Sequence, residues 1–248
     1  MRTLVIGDIH GQLESLKGVL DLAAYNRSTD RLICVGDYID GGFSAYEVIE
    51  FLLQLDSDSL HENIFLMGNH DKMFLDILED DNEIFRNRRL VKEEKWEWYS
   101  GGGLPTYDSY IMKSDEEITR HKVEFYSKLK YYHEENNKLF VHAGYDFHTS
   151  IQTSYKENIQ VLIWDRHLYK TAITDHSDGS SDIKLGGYDK IYIGHTPTFI
   201  YGDKYPCKRM NVINVDQGCK VNGNLTAWVD ETDEWFMYEP LKNQTINE

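Results

Sequence analysis

Three unbroken apolar runs near the start of the chain, each closed by glycine and a polar residue, constrain its fold most. Residues 3–7 run into Asp8, residues 32–36 into Asp37, and residues 64–68 into Asn69, His70 and Asp71. The runs are mostly continuous rather than alternating, which predicts strands buried on both faces. Between them, Leu13, Leu16, Val19, Leu20 and Ala23, and then Tyr46, Ile49, Leu52 and Leu53, recur at helical spacing. Strand, helix, strand, helix, strand predicts a parallel α/β core.

The rhythm weakens from about residue 76 to 130. That stretch is charged and aromatic (Arg86, Arg88, Arg89, Trp96, Trp98, Tyr99), contains three consecutive glycines at 101–103, and predicts a mostly helical insertion. Strands return at 139–142 and 191–194. Three late runs, 212–215, 225–229 and 235–238, are separated by Gly-Asn-type turns and predict an antiparallel finish to a second sheet. Residues 175–187 predict an exposed, mobile loop. No repeat or linker divides the chain. The expectation is one α/β domain over residues 1–240, with two mixed β-sheets flanked by helices, the insertion at 76–130, and a polar tail at 241–248. Hydrophobic residues make up 41% of the 248, enough for a sizeable core.

The formal net charge is −16. So negative a surface repels phosphate backbones and anionic membranes, so neither nucleic acid nor a membrane is expected as a partner. A small phosphorylated ligand held by local cations is compatible with it. Cysteine is confined to Cys34, Cys207 and Cys219, an odd count that argues against a disulfide framework. No charged leader or signal-peptide core is visible, and the expectation is a cytoplasmic protein.

Polar residues gather where strands are predicted to end: Gly7-Asp8-Ile9-His10-Gly11, Gly36-Asp37-Tyr38-Ile39-Asp40, Gly68-Asn69-His70-Asp71, Val141-His142-Ala143-Gly144 and Gly194-His195-Thr196-Pro197. In open α/β sheets, loops at the carboxyl ends of strands face a common crevice. Five such loops would bring Asp8, His10, Asp37, Asn69, His142 and His195 together. This nitrogen and oxygen set suits manganese, iron or zinc, and fits calcium less well. Six ligands exceed what one tetrahedral zinc needs and suit two metals sharing a carboxylate. A single Gly-Asp after a strand is uninformative; five motifs in order are not. His61, His121, His133, His148, His167 and His176 lack this context and are read as ordinary surface or core residues.

Taken together, these motifs resemble the calcineurin-like metallophosphoesterase superfamily, and within it the bacterial and phage serine/threonine protein phosphatases and the symmetrical diadenosine tetraphosphatases. The resemblance runs from Gly7 to about Gly218 and covers the insertion least. It implies that Asp8 and His10 bind a first metal, that Asp37 bridges, and that Asn69, His142 and His195 bind a second. It implies that His70 is the general acid and that Asp40 holds its ring. Two divalent transition-metal ions, manganese foremost, and a phosphorylated substrate follow from the same resemblance: a phosphoprotein or a small phosphate ester or nucleotide. The activity implied is phosphate monoester hydrolysis of the serine/threonine phosphatase type. The alternatives are a dinucleoside polyphosphate or nucleotide hydrolase, whose base the aromatic insertion would stack, and a non-catalytic phosphate-binding scaffold.

One departure stands out. The phosphatases read Gly-Asp-x-x-Asp-Arg-Gly, and the arginine clamps the substrate phosphate. This chain reads Asp40-Gly41-Gly42. Glycine there predicts a small void and a missing clamp. Trp164-Asp165-Arg166 resembles the segment carrying a second phosphate-binding arginine, which leaves Arg166 to grip phosphate. Either another cation assists Arg166, or the void admits a bulkier substituent on phosphorus. Lys72 is read as an exposed first-turn helix residue.

Overall fold

A computed structural model describes residues 1–79, 87, 93, 95–174 and 184–240. Two five-stranded mixed sheets pack face to face. The first has the order β10-β9-β1-β2-β3, from β1 (Arg2–Ile6), β2 (Asp30–Cys34), β3 (Ile64–Phe65), β9 (Leu225–Val229) and β10 (Trp235–Tyr238). The second has the order β4-β5-β6-β8-β7, from β4 (Tyr132–Glu135), β5 (Lys138–Val141), β6 (Lys190–Ile193), β7 (Cys207–Arg209) and β8 (Val212–Asn214).

The unbroken apolar runs are explained by burial on both faces. In β1, Leu4 and Ile6 point into the core shared with the helices, while Val5 points into the inter-sheet layer. In β5 and β6, Leu139, Val141, Ile191 and Ile193 face helices, while Phe140 and Tyr192 face the first sheet. Those two rings stack at 4.9 Å with planes 3° apart. β1 pairs in parallel with β2, and β2 with β3; β5, β6 and β8 do the same in the second sheet. Six parallel strands therefore deliver their carboxyl ends to one edge of the sandwich.

The expected antiparallel finish to the second sheet is corrected. β9 and β10 belong to the first sheet, where β9 runs antiparallel to β1. Only β8 joins the second sheet, parallel to β6 and antiparallel to β7. Local sequence encoded the strands but not their partners. The described segments between α3 (Asn69–Glu79) and β4 are helical: Trp96–Trp98, the turn Tyr99–Gly103, Leu104–Tyr110, Asp115–Glu124 and Tyr126–Lys128. Trp98 stacks on Phe74 of α3 at 5.6 Å, and buried Tyr110 and Tyr126 pack edge-on to Phe74. Arg86, Arg88, Arg89, His176, most of the loop expected at 175–187 and the tail 241–248 lie outside the described residues. The three cysteines are buried and unbridged. No helix among the described residues is long and apolar enough to cross a membrane.

Candidate active site

The strand ends assemble a buried cluster of carboxylates and imidazoles. Asp8 follows β1, Asp37 follows β2, Asn69 begins α3 after β3, His142 follows β5, and His195 follows β6. His10 Nε2 and His142 Nε2 stand 3.6 and 3.4 Å from Asp37 Oδ2. Asn69 Oδ1 lies 3.1 Å from His142 Nε2 and 3.0 Å from His195 Nδ1. The His195 amide donates to Asp8 Oδ2 at 2.9 Å. His10, Asp37 and His70 form one group with ligating atoms within 4.8 Å of one another; Asp37, His142 and His195 form a second, with Asp37 common to both.

The backbone fixes these side chains in unusual ways. His10, Asp37, Asp40 and His195 all have positive φ, between 50° and 70°, although none is glycine. Such conformations cost energy and persist where surrounding contacts enforce them. Those contacts are present: the amides of Ile9 and His10 both donate to Asp37 O, at 3.0 and 2.9 Å. Two glycines give the carboxylates room. A Cβ at Gly68 would strike Asp37 Oδ1, and one at Gly194 would strike Asp8 Oδ1. Second partners orient the imidazoles. His10 Nδ1 lies 2.9 Å from Ile39 O and His142 Nδ1 lies 2.9 Å from Val35 O, so each points Nε2 into the cluster.

The charge balance of the cluster suits divalent cations. Asp8, Asp37, Asp71 and Asp216 are all buried, and no Lys or Arg among the described residues is buried with them. Burial and neighbouring carboxylates raise Asp8, and burial raises Asp71 and Asp216 to about 7. Burial works against a charge on His142, yet Asp37 outweighs it and lifts His142 to about 10. Burial drives His10 and His195 down to about 3, so both imidazoles are neutral and able to ligate. Asp8 Oδ1 and His195 Nε2 are buried with no hydrogen-bond partner among the described residues. An orphaned oxygen and an orphaned imidazole nitrogen among buried carboxylates are groups of the kind that ligate a divalent metal.

Beside this cluster, His70 Nδ1 is 2.6 Å from Asp40 Oδ2. The His70 amide donates to Asp37 Oδ1 at 3.0 Å. Burial lowers the basicity of His70, but Asp37 and Asp40 prevail, and its pKa is raised. Arg166 is exposed and forms no ion pair among the described residues. It lies near enough to His195 and Asp216 to act on their charges. Lys72 pairs with Asp76 on the first turns of α3.

Four further residues contribute, of which only Asp71 lies in a strand-end motif. Asp71 accepts from the amides of Asp37, Tyr38 and Gly68 at 2.7, 3.0 and 3.0 Å, which ties the second and third loops together. Asp216 follows β8 and accepts from Gly218 N at 2.8 Å. Thr106, from the insertion, donates to Asp40 Oδ1 at 2.7 Å and accepts from Asp40 N at 2.9 Å. Lys220 Nζ sits 3.1 Å from His70 Nε2. The space at Gly41 is therefore not a void: a Cβ there would lie 2.7 Å from Lys220 Cγ. Of the aromatic insertion, Trp98 and Tyr107 are buried core; Trp96 remains 55% exposed and stacks on Tyr99. His121 is a satisfied core histidine, bonded to Glu50 and Tyr110.

A two-sheet α/β sandwich with Asp, Asn and His at the carboxyl ends of its strands defines a metal-dependent hydrolase class. Residues 1–199 match the Calcineurin-like phosphoesterase family, and the chain belongs to that family. It is 28% identical over 226 residues to "Serine/threonine-protein phosphatase 2" of Salmonella typhimurium, covering 90% of this chain and 89% of that protein. It is 26% identical over 250 residues to "Bis(5'-nucleosyl)-tetraphosphatase PrpE [asymmetrical]" of Oceanobacillus iheyensis, covering 92% and 88%. A solved serine/threonine phosphatase from Saccharomyces cerevisiae shares the fold, with TM-score 0.58 and 14% identity over 96% of this chain and 79% of that one. The protein is thus a phosphoesterase-family hydrolase.

Proposed function

We propose that the protein hydrolyses phosphate monoesters, in the manner of a serine/threonine phosphatase, at a two-metal centre. The observation that carries this is Asp37, whose carboxylate is common to two groups of ligating atoms. Asp8, His10 and Asp37 would hold one divalent ion, with His70 of the first group kept for the proton step, and Asp37, Asn69, His142 and His195 would hold the other. Manganese suits the mixed oxygen and nitrogen set best, with iron or zinc as alternatives. Bound there, the ions supply Lewis-acid activation of water and of the phosphoryl oxygens.

The chain's own residues do the rest. His70 delivers a proton from Nε2 to the departing oxygen, and its raised basicity keeps that proton available near neutral pH. Asp40 accepts from Nδ1 and fixes the ring, and Thr106 fixes Asp40. Arg166 neutralises charge on the phosphoryl group from the His195 side.

A second reading, dinucleoside polyphosphate hydrolysis, is favoured by exposed Trp96, stacked on half-buried Tyr99 two residues before Gly101 at the edge of the site. A panel run with manganese separates the two: phenyl phosphate, an aryl phosphodiester, a phosphopeptide and a dinucleoside tetraphosphate. Monoester and phosphopeptide turnover well above the tetraphosphate supports the first reading. The reverse order supports the second, and no turnover of any of them refutes both.

A further inference from the structure

We infer that Lys220 is a substrate-binding residue that grips the phosphoryl group from the His70 side, in the place that Gly41 leaves without a cation. The inference rests on the phosphoesterase reading above and goes beyond it, since Lys220 lies outside the sequence motifs that carry that reading.

The lysine occupies a channel made by glycines. Its Cγ would be 2.7 Å from a Cβ at Gly41, and its Cε 2.9 Å from a Cβ at Gly102. Both glycines have positive φ, +94° and +117°, and Gly41 N donates to Gly102 O at 2.9 Å. The aliphatic stem thus lies between two backbone segments that no side chain can enter. The head is directed as well. Nζ donates to Gly101 O at 2.6 Å and stands 3.1 Å from His70 Nε2. The short helix Cys219–Asn222 starts from buried Cys219, which fixes where the lysine leaves the backbone.

An ammonium group here has one anchor in Gly101 O and further donors to offer. It faces the nitrogen that must meet the leaving oxygen, and Asp40 satisfies the other side of that ring. A phosphoryl oxygen entering the site accepts from the ammonium, whereas the Nε2–H of a protonated His70 cannot. Lys220 then turns from Nε2 to that oxygen, which leaves Nε2 free to act on the leaving group. Arg166 acts electrostatically on His195, so the site has a second cation within reach. The pairing also explains the sequence departure: glycine at 41 makes room for the stem of Lys220.

The test compares wild type, Lys220→Met and Lys220→Arg, all loaded with manganese and checked for metal content and far-UV circular dichroism. Methionine fills the glycine channel without a charge. Binding of inorganic phosphate is measured by titration calorimetry, and KM and kcat by aryl phosphate hydrolysis. Lys220→Met should weaken phosphate binding by about tenfold or more, the loss of one charge-assisted contact, and raise KM with metal content unchanged. Lys220→Arg should recover most of the phosphate affinity. Wild-type phosphate affinity and KM in a folded, metal-replete Lys220→Met would overturn the inference, whatever happens to kcat. A wild type that turns over no phosphoester would instead fail the parent reading, and the calorimetry would still decide whether Lys220 binds phosphate. If Lys220→Met fails to fold, Lys220→Gln replaces it under the same criteria.

Discussion

Thr106→Val isolates the link between the insertion and the site. Thr106 is fully buried, and its hydroxyl makes two hydrogen bonds to one residue, donating to Asp40 Oδ1 and accepting from Asp40 N. Valine has nearly the same shape, so no cavity opens. The Asp40 amide becomes a buried unsatisfied donor, which costs about 1–3 kcal/mol, and the carboxylate loses a charge-assisted bond of similar worth. Together a destabilisation of about 2–6 kcal/mol is expected, a large fraction of typical domain stability. The freed carboxylate also holds His70 less firmly. A weakening of about 1.4 kcal/mol at the transition state corresponds to a roughly tenfold loss of kcat. Urea unfolding of the metal-loaded protein measures the first effect. Turnover of phenyl phosphate against 4-nitrophenyl phosphate measures the second, with the larger loss on phenyl phosphate, whose leaving group needs the proton. Thr106→Ser keeps the hydroxyl and should restore both. A Thr106→Val protein as stable and as active as wild type would refute the reasoning.

His70→Asn should keep its metals and lose roughly 10²–10⁴-fold in rate on poor leaving groups, with a smaller loss on activated aryl esters; equal losses on both would make His70 structural. Stability should fall with rising pH in chelated protein and hold steadier in metal-loaded protein. In chelated protein, His142 is held up to about 10 and His70 is also raised. The folded state therefore binds more protons than the unfolded chain from about 6.5 to about 10, and stability falls as pH rises through that window. Metal ligation keeps His142 neutral and removes this slope, so the Tm difference between manganese-loaded and chelated protein should widen with pH in differential scanning fluorimetry. A difference that stays constant or narrows would contradict that electrostatic picture.

Much of this arrangement was legible because the ligating residues follow glycine at the end of fully apolar strands. The strands β1, β2, β5, β6 and β8 lie within a residue or two of the expected runs. β4 (Tyr132–Glu135) and β7 (Cys207–Arg209) escaped notice because both are edge strands carrying charged residues and no apolar run. The sheet membership of β9 and β10 depends on long-range pairing that no local pattern encodes. Thr106 and Lys220 were invisible for the same reason. They meet Asp40 and His70 across separations of 66 and 150 residues. Lys220 left one trace: a glycine at 41 where an arginine was expected is a space that some other group had to fill. Asp71 sits in the third motif without a role of its own there and Asp216 in none, and their burial and bonds to backbone amides show that they brace the loops.

The most direct test of the two-metal reading is the metal content of wild type and Asp37→Asn, by mass spectrometry after manganese loading and removal of free ion. Two ions per chain in the wild type, and a clear loss of bound metal together with most of the activity in Asp37→Asn, is the predicted result. Full activity in exhaustively chelated wild type, or undiminished metal and activity in Asp37→Asn, would contradict it.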